Sequence, residues 1–182
     1  MKQEIARLGY ALLGLLHGNP SSGYDLRKIF ALTPMSTFSD SPGAIYPALR
    51  RLQRAGLVRG QVEGGSGSRR RQVFQPTSTG TAALKQWLTL PLEHEDVVRR
   101  MEELSLRFAF MDSVVGKHGS VRFLKSLERE LKAYVPTLRR YLESMKGKMP
   151  LSSRLALENG IRGYETHLRW ARAAVSAYEK EV

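Results

Sequence analysis

The sequence predicts a mainly α-helical protein with one small β-hairpin. Apolar residues recur three and four positions apart in both halves of the 182-residue chain, which is the spacing of amphipathic helices. Two short strand-like segments flank a glycine-rich run in the first half, as expected of a hairpin. A hydrophobic content of 42% and a charged content of 25% fit a soluble globular protein. The length allows one ordinary domain or two small ones.

The first two helices are marked by apolar spacing and by turn residues. Apolar positions at helical spacing predict a mostly buried helix over residues 5–17, and the Gly-Asn-Pro turn at residues 18–20 ends it. Ser21 and Ser22 then offer hydroxyl caps for a second helix, GYDLRKIF, over residues 23–30.

The third helix has a start signal, an apolar stripe and a stop signal. Ser41 offers a hydroxyl cap, and Pro42 occupies the first helical position, where proline is favoured. Gly56 ends the helix, because glycine readily adopts the left-handed conformation found at helix ends. The stripe lies at i, i+4 and i+7: Ile45, Leu49 and Leu52.

A hairpin and a fourth helix complete the first half. Residues 57–63 and 72–75 are predicted as two strands around the loop GGSGSRRR, and Pro76 ends the second strand. Thr77 offers a hydroxyl cap for the fourth helix. Small helices combined with a two-stranded hairpin form a winged helix-turn-helix. We therefore predict a domain of this type over residues 1–90.

The second half, residues 91–182, is predicted to be helical. We expect a helix with one apolar face, a break over residues 116–119, a helix over residues 121–145 and a last helix after Pro150. Heptad-like stripes here follow an already complete small domain, so we expect part of this surface to pair with a second subunit and to form a homodimer. The stripe expected to form the seam is on the last helix, which no later element follows: Leu157, Ile161, Tyr164, Leu168, Ala171 and Val175. The alternative is that this stripe packs only on the helix over residues 121–145 of its own chain.

The charge balance favours a polyanionic partner. The formal net charge is +12, and the first 90 residues carry 12 Lys and Arg against 4 Asp and Glu, a balance of +8. Nucleic acid and an anionic membrane surface both fit such an excess. The first half is the better candidate for the contact, because the second half has a balance of only +4.

Cysteine and long apolar segments are both lacking in the sequence. Without cysteine there is no disulfide, thiolate nucleophile or cysteine-based metal site. The apolar run near the start is too short to span a bilayer, and no signal-peptide pattern follows it. We therefore expect a cytoplasmic protein with no membrane partner.

The outer face of the third helix is small at its start and basic further on. Gly43 and Ala44 have almost no side chain, so the backbone there approaches base edges closely when the helix enters a major groove by its N-terminal end. Arg50 and Arg54 follow within reach of phosphates or guanine edges. The glycine-rich loop is then the wing, and its arginines are expected at phosphates or in the minor groove: Arg69, Arg70 and Arg71.

Each basic cluster alone also fits a solvated surface. Taken together on this scaffold, the two clusters predict binding of double-stranded DNA. The alternative function is a basic helical RNA-binding protein or protein-interaction adaptor without operator specificity.

Four segments resemble the PadR family of bacterial transcriptional regulators: LGYALLGLL, SSGYDLRKIF, SPGAIYPALRRLQRAGLV and, after the basic wing, TSTG. The resemblance is strong over residues 7–88 and looser over residues 95–178, where it points to the subgroup with a longer helical dimerisation domain. It implies a homodimer that binds operator DNA, usually as a repressor and often released by a small ligand.

The resemblance also assigns roles to two tyrosines. Tyr46 occupies the family's recognition-helix tyrosine position, which implies contact with bases or phosphates, and Tyr24 occupies the second-helix position, where it bonds a phosphate or packs with its hydroxyl at the surface. The family often has an acidic residue after the cap of the fourth helix, and this chain has Ser78, Thr79 and Gly80 there. The full set of candidate DNA contacts is Tyr24, Arg27, Lys28, Ser41, Gly43, Ala44, Tyr46, Arg50, Arg54, Arg69, Arg70 and Arg71.

No enzymatic, metal or cofactor site is predicted. The four histidines are isolated, without metal-ligand spacing, and neither a nucleophile elbow nor a phosphate-binding loop is present. The resemblance leaves room for a small aromatic or hydrophobic effector. Aromatic residues are expected to line its pocket near the domain junction, although each of them taken singly fits ordinary core packing better: Trp87, Phe108, Phe110, Tyr134 and Trp170.

Overall fold

The structure is a computed structural model that describes residues 5–37, 42–63 and 71–180. Within these ranges the predicted fold class is confirmed, because helices predominate and a small antiparallel sheet is the only other regular structure described. In chain order the elements are α1 (Arg7–Gly18), β1 (Ser21–Ser22), α2 (Gly23–Leu32), a 3₁₀ helix (Pro34–Thr37), α3 (Pro42–Arg54), β2 (Val58–Glu63), β3 (Arg71–Pro76), α4 (Ser78–Leu88), α5 (His94–Arg99), α6 (Met101–Ala109), α7 (Met111–Val114), α8 (Lys117–Ser144) and α9 (Leu151–Lys180).

The described residues form two compact units. The first consists of those within Met1–Leu90 together with Ser105–Gly116, and the second of those within Pro91–Leu104 together with Lys117–Val182. The first unit is therefore discontinuous in sequence, because a short segment from beyond residue 90 belongs to it.

The sheet of the first unit has three strands in the order β1-β3-β2, all antiparallel. The β2–β3 hairpin is as predicted, and its register places Val58 opposite Pro76 and Glu63 opposite Arg71. The two-residue strand β1, which pairs Ser22 with Val73, was not predicted. Two serines carry no apolar alternation, so nothing in their local sequence indicates a strand.

Ser22 also begins α2, as predicted for a hydroxyl cap. Its Oγ accepts a hydrogen bond from the Asp25 backbone N–H at 3.2 Å, while the Asp25 carboxylate accepts from the Ser22 backbone N–H at 3.3 Å. This reciprocal pair is a capping box. Hydrogen bonding by Ser22 also holds the pKa of the Asp25 carboxyl below its ordinary value.

Thr77 joins the end of α3, the hairpin and the start of α4. Its hydroxyl donates to the Gly56 carbonyl oxygen at 2.7 Å and accepts from the Gly80 N–H at 3.1 Å, which confirms the predicted cap. Its backbone N–H donates to the Leu57 carbonyl at 3.0 Å. Gly56 has φ of +68°, so it turns the chain out of α3 as expected for glycine.

The core of the first unit is made by the inner faces of α1 to α4. Its fully buried large side chains are Leu12, Leu13, Leu16, Leu26, Phe30, Ile45, Leu49, Leu84 and Leu88.

The segment within Ser105–Gly116 completes this core. The Phe110 ring lies against Gly14 of α1, where a Cβ would come within 2.4 Å of the ring. The Arg107 side chain is only 4% exposed, and its guanidinium donates to the Leu88 carbonyl at 3.0 Å and also to the Leu90 carbonyl. A cation thereby caps the C-terminal end of α4, where the helix dipole favours positive charge.

The second unit is dominated by α8 and α9, which pack along each other. The α8 side of this packing buries Leu124, Leu127, Leu131 and Val135. Exposed ion pairs join the helices: Arg172 Nε with Glu128 at 3.0 Å, Arg139 Nε with Glu165 at 2.7 Å and Lys125 Nζ with Glu179 at 3.9 Å. Hydrogen bonds from Lys132 and then Arg172 hold the pKa of Glu128 below its ordinary value.

Two expectations about this unit are wrong in detail. The predicted break over residues 116–119 is shorter, because α8 begins at Lys117, directly after Gly116 with φ of +88°. The seam stripe on the last helix was expected to lie uncovered within its own chain, yet Ile161, Ala171 and Val175 are buried and α9 packs on α8. These three side chains are therefore covered within their own chain, and the seam between two copies stays a prediction.

Among the residues that the structure describes, no helix has the length and apolar content needed to cross a bilayer.

Gly80 tests the junction at Thr77. A Cβ at this position would lie 1.9 Å from the Leu57 carbonyl oxygen, a backbone atom with no freedom to move aside. We expect Gly80→Ala to lower the free energy of unfolding by about 1–3 kcal/mol, the usual cost of overpacking. Urea unfolding of the full chain measures it.

The matched control is Gly18→Ala, at the last position of α1, where a Cβ would meet nothing within 4 Å. It should change stability by no more than about 0.5 kcal/mol. Equal effects of the two substitutions would show that the close approach at Gly80 is not a constraint.

Candidate nucleic-acid interface

The outer face of α3 is exposed and basic, while its inner face is buried. Ile45, Leu49 and Leu52 lie in the core, as predicted. Arg50 and Arg54 are exposed, and neither guanidinium has a hydrogen bond or ion pair with another residue in the described part of the chain. Their charges are thus available to an external anion without first breaking an internal pair.

The first turn of α3 presents little side-chain bulk. Gly43 is exposed and Ala44 is half-buried, so backbone is close to the surface at the N-terminal end of the helix. Ser41, the predicted cap, lies outside the described residues.

Tyr46 is fixed against the start of α2. Its ring is 43% exposed, yet one edge lies so close to Gly23 that a Cβ there would come within 2.5 Å of Tyr46 Cε1. Gly23 itself is buried. The Tyr46 ring thus packs against the backbone at Gly23 on the outer face of α3, and this close approach explains why glycine precedes Tyr24.

Tyr24, Arg27 and Lys28 form a second exposed cluster on α2. The Arg27 guanidinium lies 5.6 Å from the centre of the Tyr24 ring, and the Lys28 ammonium lies 4.8 Å from it. Both distances are within the range of a cation–π interaction, worth about 0.5–1 kcal/mol at an exposed site. The Tyr24 ring therefore holds the Arg27 and Lys28 charges close to each other on α2, the helix before α3.

The wing is described only at its base. Arg69 and Arg70 lie outside the described residues, whereas Arg71 is exposed at the start of β3. Arg71 Nη2 bonds the Glu63 carboxylate at 3.3 Å across the hairpin.

Arg59 is a further wing cation that the sequence analysis did not select. It lies opposite Gln75 in the hairpin, and the Gln75 side-chain oxygen, oriented to meet its donors, accepts from Arg59 Nε and Nη2 at 2.9 and 3.1 Å. The hairpin register would have indicated both cross-strand pairs, since residues directly opposite each other share one face of the sheet. That register depends on the turn between the strands, so it could not be read from the strands alone.

Two of the candidate effector residues are core residues of the first unit. Trp87 is buried and stacks on Tyr10, with ring centres 4.5 Å apart and planes inclined by 4°. Phe110 fills the space at Gly14, and Phe108 is half-buried.

The other two lie in the second unit. The Tyr134 ring meets His94 and Tyr164 edge to face, each with ring centres 5.1 Å apart. The Tyr164 hydroxyl donates to the Val98 carbonyl at 3.1 Å, and burial raises the pKa of this hydroxyl. Trp170 is exposed on α9. Tyr134 is thus part of an aromatic cluster with His94 and Tyr164.

No group of three His, Asp or Glu side chains placed to hold a metal ion occurs in residues 5–37, 42–63 and 71–180.

Two proteins of Bacillus subtilis and Bacillus cereus illustrate what the chain is similar to. The Bacillus subtilis protein named "Negative transcriptional regulator PadR" is 21% identical over 96% of this chain and 98% of its own length. The crystal structure of Bacillus subtilis PadR in complex with operator DNA has a TM-score of 0.45 and 20% identity, covering 94% of this chain and 98% of that one. The PadR-like transcriptional regulator BC1756 from Bacillus cereus has a TM-score of 0.42 and 21% identity, covering 98% and 99%.

The family model for "Transcriptional regulator PadR-like family" matches residues 12–86. This span begins in α1 and ends in α4, so it contains α2, α3 and both strands of the wing. It agrees with the segments whose motifs resemble this family. Residues 12–86 thus form a domain of the transcriptional regulator PadR-like family.

Proposed function

We propose that the chain is a transcriptional regulator that binds double-stranded operator DNA in a sequence-specific manner. The observation that carries this proposal is the outer face of α3, where Arg50 and Arg54 are exposed without a partner among the described residues and the Tyr46 ring packs against Gly23. A recognition helix needs this combination, because base contacts require side chains held in place and charges free to engage.

In this proposal α3 enters the major groove by its N-terminal end. Gly43 and Ala44 allow close approach of the backbone, Tyr46 and Arg50 touch base edges, and Arg54 reaches a phosphate. The arginines of the wing, Arg69, Arg70 and Arg71, contact phosphates or the minor groove.

The cluster on α2 is proposed to position the domain. In a helix-turn-helix the helix before the recognition helix crosses the DNA backbone. Arg27 and Lys28, gathered at the Tyr24 ring, provide two positive charges there. Such contacts give affinity and orientation but carry no sequence information.

We further propose repression, released by a small molecule, and no enzymatic activity. Support comes from the family, which is one of transcriptional regulators, and from the relative that is named a negative regulator. An effector releases DNA only if it binds the DNA-free conformation more tightly than the DNA-bound one. The proposed ligand is an aromatic or hydrophobic compound. We assign DNA binding to residues 1–90, and effector binding and dimerisation to residues 91–182. The candidate contacts of the ligand are Trp87, Phe108, Phe110, Tyr134 and Trp170.

The proposed active species is a homodimer. One winged helix reads a short half-site, and a two-fold axis relates two of them on a palindromic site. Because Ile161, Ala171 and Val175 are buried within the chain, the exposed apolar residues of α9 form the better surface for a second copy. These are Leu151 and Leu155, continued by the half-buried Leu157, Tyr164 and Leu168.

Substitutions of Arg50 and Arg71 distinguish contacts that recognise bases from contacts that only hold the protein on the DNA backbone. A DNA site selected by the full chain from a random pool should be bound roughly a thousandfold more tightly than random duplex. Arg50→Ala should cost about 1–3 kcal/mol on that site and relax the preference at one base pair. Arg71→Ala should weaken selected and random duplex alike and flatten the salt dependence. Competition binding measures all three.

Equal affinity for single-stranded RNA and for any duplex would contradict the proposed function and favour the RNA-binding alternative. Absence of binding to either would favour a protein-interaction adaptor.

Gly23 tests the role of Tyr46. Gly23→Ala would force the Tyr46 ring to move, so it should weaken binding to the selected site by about 1–3 kcal/mol, the size of a lost base contact. In a Tyr46→Ala background the same substitution should add almost nothing, because the ring is gone. A double-mutant cycle on DNA affinity measures this coupling. Additive effects would mean that Gly23 does not position Tyr46.

Leu155 tests the dimer surface. Leu155→Glu places a charge on a side chain that is 51% exposed, so the fold should tolerate it while an apolar contact between copies would not. Sedimentation at low micromolar concentration should show a shift from dimer to monomer. Leu32→Glu is the control, because Leu32 is 84% exposed on α2 of the first unit. A Leu155→Glu protein that remains fully dimeric would place the seam elsewhere.

A further inference from the structure

The two described arginines of the wing hairpin are held by different kinds of partner. Arg59 is bonded by the neutral amide of Gln75, and Arg71 by the carboxylate of Glu63. Each pair lies directly opposite across β2 and β3. Side chains on one face of a strand alternate with period two, so Arg59 and Glu63 share a face, about 13 Å apart along β2.

The Arg71–Glu63 pair is weak enough for another anion to replace the Glu63 carboxylate. Its N–O distance is 3.3 Å, and the side chains are 62% and 54% exposed. Exposed pairs of this kind are weak, since water and salt screen them. A DNA phosphate offers Arg71 the same type of oxygen acceptor as the Glu63 carboxylate. The neighbouring phosphates of the duplex add a negative potential that a single carboxylate lacks.

Glu63 is unusual in its surroundings. Of the residues described within Met1–Leu90, the carboxylates are Asp25 and Glu63. Asp25 is engaged by Ser22 in the capping box of α2. Glu63 caps no helix, and within the described residues its carboxylate bonds Arg71.

We propose that Glu63 tunes the affinity of the DNA interface by holding Arg71 in the free protein, so that a DNA phosphate must displace its carboxylate. The inference rests on the DNA binding proposed above and deepens it. Each duplex bound by the wing loses the Arg71–Glu63 pair and places the Glu63 charge beside a phosphate. Both effects are independent of sequence, so Glu63 weakens binding to all DNA and limits retention on random sites.

Glu63→Gln tests this in the full chain, because glutamine keeps a hydrogen-bonding partner of the kind that holds Arg59 while removing the charge. Binding to a duplex of arbitrary fixed sequence, measured over about 50–200 mM salt, should become about two- to fivefold tighter. The slope of log affinity against log salt should change by less than about 0.9, the contribution of one phosphate, because Arg71 neutralises the same phosphate with or without the Glu63 charge.

Two controls isolate the cause. Glu95→Gln removes the same charge from another exposed pair, Glu95–Arg99 in the second unit with the same 3.3 Å distance, and should leave affinity and slope unchanged. In an Arg71→Ala background the gain from Glu63→Gln should be smaller, because the pair is gone and only the repulsion between the Glu63 carboxylate and the phosphate is removed.

Three outcomes overturn the inference. Unchanged affinity in Glu63→Gln would show that the pair does not compete with DNA. A gain of equal size in the Arg71→Ala background would show that Glu63 acts without Arg71. Failure of the unmodified protein to bind any duplex would remove the proposed function and this inference together.

Discussion

The position of the proposed DNA-binding surface depends on the hydrogen bonds of one threonine. The Thr77 hydroxyl links the last turn after α3 to the first turn of α4, and its backbone N–H bonds the residue that begins the wing. Gly80 lets α4 approach the Leu57 carbonyl closely enough for these bonds to form. The end of α3, the hairpin and the start of α4 thus meet at one place, and the hydrogen bonds there set their relative geometry.

The exposed cations around this junction are held to different degrees. Arg50 and Arg54 on α3 have no internal partner in the described residues, while Arg59 and Arg71 on the wing each have one. An arginine without a partner loses side-chain entropy when it binds, and a paired one loses its partner instead. In the proposed DNA complex, the arginines of α3 therefore lose side-chain entropy, whereas those of the wing lose their partners within the chain.

Much of the fold was predictable because its signals are local. The cap at Ser22, the stop at Gly56 and the cap at Thr77 each involve residues within a turn or two of one another, and all three are found as expected. The division of α3 into apolar and basic faces follows from helical spacing alone.

Other features depend on residues far apart in the chain, and there the sequence was insufficient. The strand β1 exists because β3 pairs with it, and Tyr46 is fixed by Gly23 across two helices. The burial of Ile161, Ala171 and Val175 depends on how α8 lies along α9. Amphipathic spacing shows that a face will be covered, but it does not show whether the cover comes from the same chain or from another.

The return of Ser105–Gly116 to the first unit has a consequence for biosynthesis. A ribosome releases the complete winged-helix sequence well before it releases Arg107 and Phe110, so the nascent domain has an unfilled gap at Gly14 and an uncapped end on α4. Domains fold as units during synthesis, N-terminal first. Here the first unit is complete only after the chain has passed through α5, so the two units cannot fold in strict succession.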